Sequence, residues 1–173
     1  IHHYRNVGTG AVAQFELVQA NVTYGDGVVI DLGRFVTPIF VDLDEDGLLD
    51  LVAGEQNGNL NYLRNVGDST DPTWLLVTDS LGGVRTNTPF TLGFSVPHFI
   101  VGEIDTREIL VGTETGTIWR YSGISTDPLT NWLLVDSSYQ DIDEGYRSGI
   151  ALHDFTGDGV YDAIFGNHRG GIT

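Results

Sequence analysis

The densest chemistry in the sequence lies at residues 41–50, VDLDEDGLLD, where five carboxylates sit between the apolar runs TPIF and LVAG. Counted from Asp42, acidic side chains stand at positions 1, 3, 5 and 9, which are Asp42, Asp44, Asp46 and Asp50, with Gly47 at position 6. Odd-numbered carboxylates converge on one point of a tight loop, the glycine permits the reversal, and the Leu48 carbonyl at position 7 adds a further oxygen. The pattern is one that wraps a hard cation. Calcium fits best, because the ligands are all oxygen and flexible, whereas magnesium keeps more of its water. An EF-hand does not fit: position 12 is Ala53 in place of the bidentate Glu, and strand-forming residues flank the loop. The competing reading is a solvated Asp-Gly turn.

That reading loses ground because the pattern returns 112 residues on. In DFTGDGVYD, residues 154–162, Asp154, Thr156, Asp158, the Val160 carbonyl and Asp162 take the same slots. Thr156 replaces a carboxylate, so this loop is expected to bind more weakly. A third occurrence, VGEIDTREI at 101–109, has Val101 for the first ligand and lacks the glycine, so no calcium is expected there. Arg107 reads either as a fixed cation among Glu103, Asp105 and Glu108 or as part of an ordinary exposed ion pair.

The loops sit at one phase of a repeat. LNYLRNVG at 60–67 echoes IHHYRNVG at 1–8, and LVAGEQNGNL from Leu51 returns as LVGTETGTI from Leu110 and IFGNHRGGI from Ile164, aligning Gly54, Gly112 and Gly166. WLLV occurs at 74–77 and 132–135, with FELV at 15–18 in the same slot. The spacings between Ile1, Leu60, Ile118 and Ile172 are 59, 58 and 54 residues. Each unit holds short β-type runs separated by Gly, Asn, Asp and Pro, best seen as PIFVD, LDLVAGE, NLNYLRNV and WLLVTD, and none has helical periodicity over 11 residues. The first two read as strands covered on both faces, and the third alternates as an outer strand does. The expected fold is all-β, a β-propeller of four-stranded antiparallel blades; a β-sandwich does not require identical phrases at a fixed period. The units fall at 1–19 (second half of a blade), 37–79 (blade with calcium loop), 96–136 (blade with degenerate loop) and 149–173 (first half of a blade with calcium loop), all in one domain. Closure takes roughly four to eight blades, so a piece of a larger propeller is expected, about three blades' worth.

Composition narrows the partners. Asp and Glu number 24 against 8 Arg and no Lys, and the net charge of −16 argues against nucleic acid and anionic membrane surfaces. The longest apolar runs are far below the ~18 residues of a membrane span. Without Cys there is neither a disulfide framework nor a thiolate zinc site. The absence of Met points to an internal piece of a longer chain.

The phrase PIFVDLDEDGLLDLVAGEQNGNLNYLRNVG resembles the FG-GAP and VCBS repeats of integrin α-chain propellers and of many bacterial secreted and cell-surface proteins, and the resemblance covers essentially the whole chain. It implies a calcium-stabilised propeller, usually of about seven blades, in which the acidic loop joins the first and second strands of a blade. Asp42, Asp44, Asp46 and Asp50 match that loop, as do Asp154, Asp158 and Asp162, with Thr156 a tolerated variant. The literal Phe-Gly and Gly-Ala-Pro signature is poorly kept, and YxRNxG-like phrases at 4–8 and 62–67 favour the bacterial type.

Other chemistry is thin. His2 and His3 align with the strand residues Asn61 and Tyr62, and His153 and His168 lack a third ligand at zinc spacing. GFSVP at 93–97 is no nucleophile elbow, since no strand-to-helix turn follows. NVT at 21–23 is an N-glycosylation sequon. The expected function is a non-catalytic extracellular or cell-surface module for adhesion or macromolecular recognition, with calcium as cofactor and a protein or glycan partner, beside the remaining blades, and with neither nucleic-acid binding nor membrane insertion. The alternatives are the propeller part of a secreted enzyme, a polysaccharide lyase or hydrolase, and a lectin using Trp74, Trp119, Trp132 or Tyr62 as sugar platforms. Trp74 and Trp132 recur at one strand position and read as core. The long connections at 20–36, 80–96 and 137–148 are predicted to carry the partner face, near Tyr24, Arg34, Arg85, Tyr139 and Tyr146.

Overall fold

The computed structural model describes residues 1–10, 12–100 and 107–170. Among them are twelve strands: β1 (His3–Asn6), β2 (Phe15–Gln19), β3 (Thr37–Val41), β4 (Asp50–Gly54), β5 (Leu60–Asn65), β6 (Trp74–Thr78), β7 (Val96–Ile100), β8 (Glu108–Gly112), β9 (Ile118–Ser122), β10 (Leu133–Asp136), β11 (Gly149–His153) and β12 (Asp162–Gly166). They form four antiparallel sheets of consecutive strands, β1-β2, β3-β4-β5-β6, β7-β8-β9-β10 and β11-β12. The all-β expectation holds, with single 3₁₀ turns at Leu81–Gly83 and Tyr139–Asp141 as the described helical pieces. No described helix is long and apolar enough to cross a membrane.

β4 is buried along its whole length because it is covered on both faces. Leu51 and Ala53 pack with Val22, Ile30, Leu32, Leu63 and Trp74. Val52, on the opposite face, packs with Leu60, Tyr62, Ile109, Val111, Tyr121 and Trp132. β8 repeats the arrangement: Ile109 and Val111 face that second cluster, and Leu110 turns away to meet Ile118 and Ile150. Two expectations need correction. β3, an edge strand, is half-covered, with Phe40 exposed, while β5, the supposed outer strand, is buried at five of its six residues because it pairs between β4 and β6. The other edge strand is β6, whose Leu75 and Leu76 face solvent.

One backbone device joins successive sheets. The N–H groups of Phe94 and Ser95, leading into β7, donate to the carbonyls of Gln56 and Glu55 at 3.2 Å each, and Glu114 N–H donates to the Gly93 carbonyl at 2.6 Å. One repeat later, Arg147 and Ser148 donate to Glu114 and Thr113 at 3.0 and 3.2 Å, and His168 N–H reaches the Tyr146 carbonyl at 2.9 Å. Phe35, Phe94 and Arg147 hold the same slot with φ of 55, 50 and 57°, a region that costs a side-chain-bearing residue on the order of 1 kcal/mol or more. The strain recurs because the clamp recurs. It also explains two of the three aligned glycines: a Cβ at Gly54 would lie 2.1 Å from the Ser95 carbonyl oxygen, and one at Gly112 would lie 2.0 Å from that of Ser148.

The repeated RNVG phrase is turn chemistry. Asn65 Oδ1 accepts the N–H groups of Gly67 and Thr73 at 3.0 and 3.1 Å, and Asn6 Oδ1 accepts those of Gly8 and Gln14 at 2.9 and 3.0 Å, so one amide closes the connection after β5 and after β1 alike.

Candidate metal centre

The 42–49 loop connects β3 to β4, and Gly47 at its tip has φ of 89°. Gly47 N–H donates to Asp42 Oδ2 at 3.0 Å, Asp46 N–H to Asp44 Oδ1 at 3.3 Å and Leu48 N–H to Asp46 Oδ1 at 2.8 Å. The backbone thus curls around its own carboxylates, and oxygens of Asp42, Asp44 and Asp50 come within 4.8 Å of one another. Asp46 is exposed and stands outside this triad.

The three carboxylates are not equivalent. Asp50 is wholly buried and well supplied: its Oδ2 accepts from Leu43 N–H at 3.2 Å and the Tyr62 hydroxyl at 2.8 Å, and its Oδ1 from Asn65 N–H at 2.8 Å. Burial pushes its carboxyl above the usual range; the three donors oppose that and the Asp44 charge adds to it. The Tyr62 hydroxyl is raised in turn, by burial first and then by Asp50. Asp42 differs, because its Oδ1 is buried and has no hydrogen-bond partner. A bare buried carboxylate oxygen costs several kcal/mol unless something positive meets it. Two like charges this close repel by about 3–4 kcal/mol at an effective dielectric of about 20. The nearest arginine, Arg64, stands 3.9 Å from Asp44 Oδ2 and is half-exposed, too loose to neutralise the triad. Donor set, spacing and the orphaned oxygen therefore fit a metal ion held by oxygen.

The second loop has the same fold. Gly159 N–H donates to Asp154 Oδ2 at 2.8 Å, Phe155 N–H to Asp162 Oδ2 at 2.9 Å and Val160 N–H to Asp158 Oδ1 at 2.8 Å, matching the bonds of Gly47, Leu43 and Leu48 one for one. Thr156 Oγ1 lies 3.5 Å from Asp154 Oδ1. Asp154 is held below the usual carboxylate range, chiefly by Gly159 N–H. Its carboxylates do not form a second triad among the described residues.

In the degenerate repeat, Val101, Glu103 and Asp105 lie outside the described residues. Glu108 begins β8 opposite Ile100, as Asp50 begins β4 opposite Val41 and Asp162 begins β12 opposite His153. Its cation is Arg120, bound through two nitrogens at 2.6 and 3.0 Å, and not Arg107. Arg107 crosses to the neighbouring acidic loop, donating to the Leu43 carbonyl at 2.7 Å and pairing with Glu45 at 2.6 Å. Sequence spacing finds ligands along one loop; it has no signal for a side chain from the next sheet.

The residues predicted for a partner face lie on connections leading into three different sheets. Tyr24 packs beside the Val22 cluster and bridges Trp74. Arg34 and Arg85 are exposed, and the Arg34 carbonyl accepts Gln56 N–H. Tyr139 packs near Ile118 and Ile150, with the Arg120 guanidinium 5.7 Å from its ring centre. Tyr146 donates to Glu114 and lies near Arg147, whose guanidinium rests 3.7 Å from the centre of the Phe94 ring. Ser95 of GFSVP is a buried structural hydroxyl donating to the Asn59 carbonyl at 2.6 Å. Trp74 (8% exposed), Trp132 (6%) and Tyr62 (1%) are core residues and present no sugar platform.

Among the described residues, fold and site together give an all-β architecture of four antiparallel sheets with one acidic triad that could hold a metal ion. No family model, curated protein or solved structure matches the chain.

Proposed function

We propose that the chain is part of a calcium-stabilised β-propeller whose blades are these sheets, acting outside the cell as a non-catalytic module for macromolecular recognition. The observation that carries the calcium reading is the buried, unpartnered Oδ1 of Asp42 beside Asp44 and Asp50, at a hairpin between two strands of one sheet. Asp42, Asp44 and Asp50 would hold the ion, with Asp46 and the Leu48 carbonyl within the same loop; Asp154, Thr156, Asp158, the Val160 carbonyl and Asp162 would form the weaker site. Bound there, the ion supplies positive charge to a strand hairpin and no chemistry. Extracellular calcium modules bind at roughly 10⁻⁴–10⁻³ M, which suits the calcium found outside cells. The propeller reading draws support from the clamp of three backbone bonds, which recurs from sheet to sheet. Long connections on so rigid a scaffold are where recognition resides.

Titration calorimetry with calcium tests this. The wild-type chain is expected to bind, Asp42→Ala to lose the tighter event and Asp154→Ala the weaker. Heats indistinguishable from dilution in the wild type would remove calcium from the account.

A further inference from the structure

We propose that the cleft beside the Thr88–Thr91 turn binds a neutral saccharide, with the Phe90 ring as its stacking platform; the proposal deepens the recognition reading above and rests on it. The cleft, of about 470 Å³, is lined by Asn57, Asn87, Thr88, Phe90, Thr91 and Glu114 among others, and so lies between the β4–β5 turn, the β8–β9 turn and the connection into β7. Phe90 is 95% exposed, an aromatic ring held in water with no packing role.

The backbone that carries the ring is held by its turn. Thr88 and Thr91 exchange both backbone bonds at 3.3 Å, their hydroxyls meet at 3.0 Å, and Phe90 N–H donates to Thr88 Oγ1 at 3.2 Å. Both feet of the turn are anchored. Thr86 N–H donates to the Gly58 carbonyl at 2.9 Å, while Leu92 and Gly93 N–H donate to Glu114 Oε2 at 2.5 and 3.2 Å. Gly58 and Gly93 lie back to back: a Cβ on Gly93 would stand 2.6 Å from Gly58 Cα, so only glycine lets the turn settle on its support. Backbone anchored this way loses little freedom when a ligand binds.

The chemistry of the walls selects the ligand. A pyranose has an apolar C–H face and a rim of hydroxyls, matching an aromatic ring in a cleft also lined by the Asn57 and Asn87 carboxamides, each of which offers both donors and an acceptor. Glu114 at the floor keeps its charge. Burial alone raises its carboxyl, and the Tyr146 hydroxyl, the Gly93 and Leu92 N–H groups and Arg147 more than offset that. With this carboxylate in the cleft and a net charge of −16, an acidic sugar or a phosphate is repelled. At about 470 Å³ the cleft falls within the volume range of small-ligand sites.

The test is saturation-transfer NMR and calorimetry on the chain with lactose, cellobiose, maltose and N,N′-diacetylchitobiose, and with sialyllactose as the acidic control. At least one neutral disaccharide is expected to bind with saturation on its C–H protons. Phe90→Ala should weaken that binding roughly tenfold and Asn87→Ala should weaken it too, with the calcium-dependent melting of both variants unchanged. Failure of all four neutral sugars, exclusive binding of sialyllactose, or equal binding by Phe90→Ala would each overturn the site. A protein ligand lost on Phe90→Ala, with no sugar bound, would overturn the saccharide and leave the recognition reading standing. Sugar binding with no response to calcium would uphold this site and remove the calcium from the wider reading.

Discussion

Replacing Gly54 with Ala should break the junction between the two four-stranded sheets. The new Cβ would stand 2.1 Å from the Ser95 carbonyl oxygen and 2.8 Å from Pro97 Cδ, so the lead-in to β7 must move. That lead-in carries the Phe94 and Ser95 N–H bonds to Gln56 and Glu55, and the Ser95 carbonyl accepts the Thr37 hydroxyl at 2.9 Å. Losing two or three such bonds at about 1 kcal/mol each, with about 1–3 kcal/mol of overpacking, predicts a loss of roughly 3–6 kcal/mol. That is a large share of an ordinary domain's stability. Gly112→Ala should cost a similar amount, since its Cβ would meet the Ser148 carbonyl oxygen at 2.0 Å. Gly166 holds the same place in the repeat, yet a Cβ there meets nothing within 4 Å. Gly166→Ala should therefore stay within about 0.5 kcal/mol of the wild type. Urea unfolding followed by tryptophan fluorescence reads all three, because Trp74 and Trp132 are buried. A Gly54→Ala loss below about 1 kcal/mol, or a Gly166→Ala loss equal to it, would refute the clamp.

Tyr62→Phe removes a 2.8 Å donor from the buried Asp50 carboxylate and should cost about 1–3 kcal/mol in chemical denaturation; no change would mean that water replaces the hydroxyl. Arg107→Ala removes bonds to an exposed loop and should cost less than about 1 kcal/mol in the same assay. His98 Nε2 accepts Leu152 N–H at 3.2 Å, linking β7 to β11, and burial holds the imidazole below its usual range. A folded-state value below the unfolded one means the unfolded chain takes the proton first. Stability should be level above pH ~6.5 and fall as the pH drops below it, and His98→Gln should flatten that fall in melting curves taken across pH 4.5–7.5.

The sequence made the repeat, the acidic loops and the strands legible because each is local: alternation, Asp spacing and turn glycines survive in one dimension. What it hid depends on neighbours three-dimensional packing supplies. Asn65 reads as a repeated letter until its amide is seen closing a turn, and Tyr62 as an aromatic platform until its hydroxyl is seen under Asp50. Arg107 lies in the degenerate loop and Arg120 on β9, but the pairing of β8 with β9 brings Arg120 to Glu108, while Arg107 reaches across to the β3–β4 loop of the neighbouring sheet. Asp46 belongs to the motif by spacing and stands apart from the triad because its side chain caps Leu48 N–H instead. Phe94 in a left-handed conformation has no sequence signal, since the clamp that imposes it spans two sheets.

Thermal unfolding of the wild type and Asp42→Ala, with about 1 mM calcium and with chelator, bears most directly on the calcium clamp. For a site with Kd of roughly 10⁻⁴ M, mass action adds about 1.4 kcal/mol, so the wild-type midpoint should rise with calcium and fall back with chelator. Asp42→Ala should lose most of that rise, keeping only the contribution of the 154–162 loop. Superimposable wild-type curves with calcium and with chelator would contradict the account and leave the acidic loops as solvated turns.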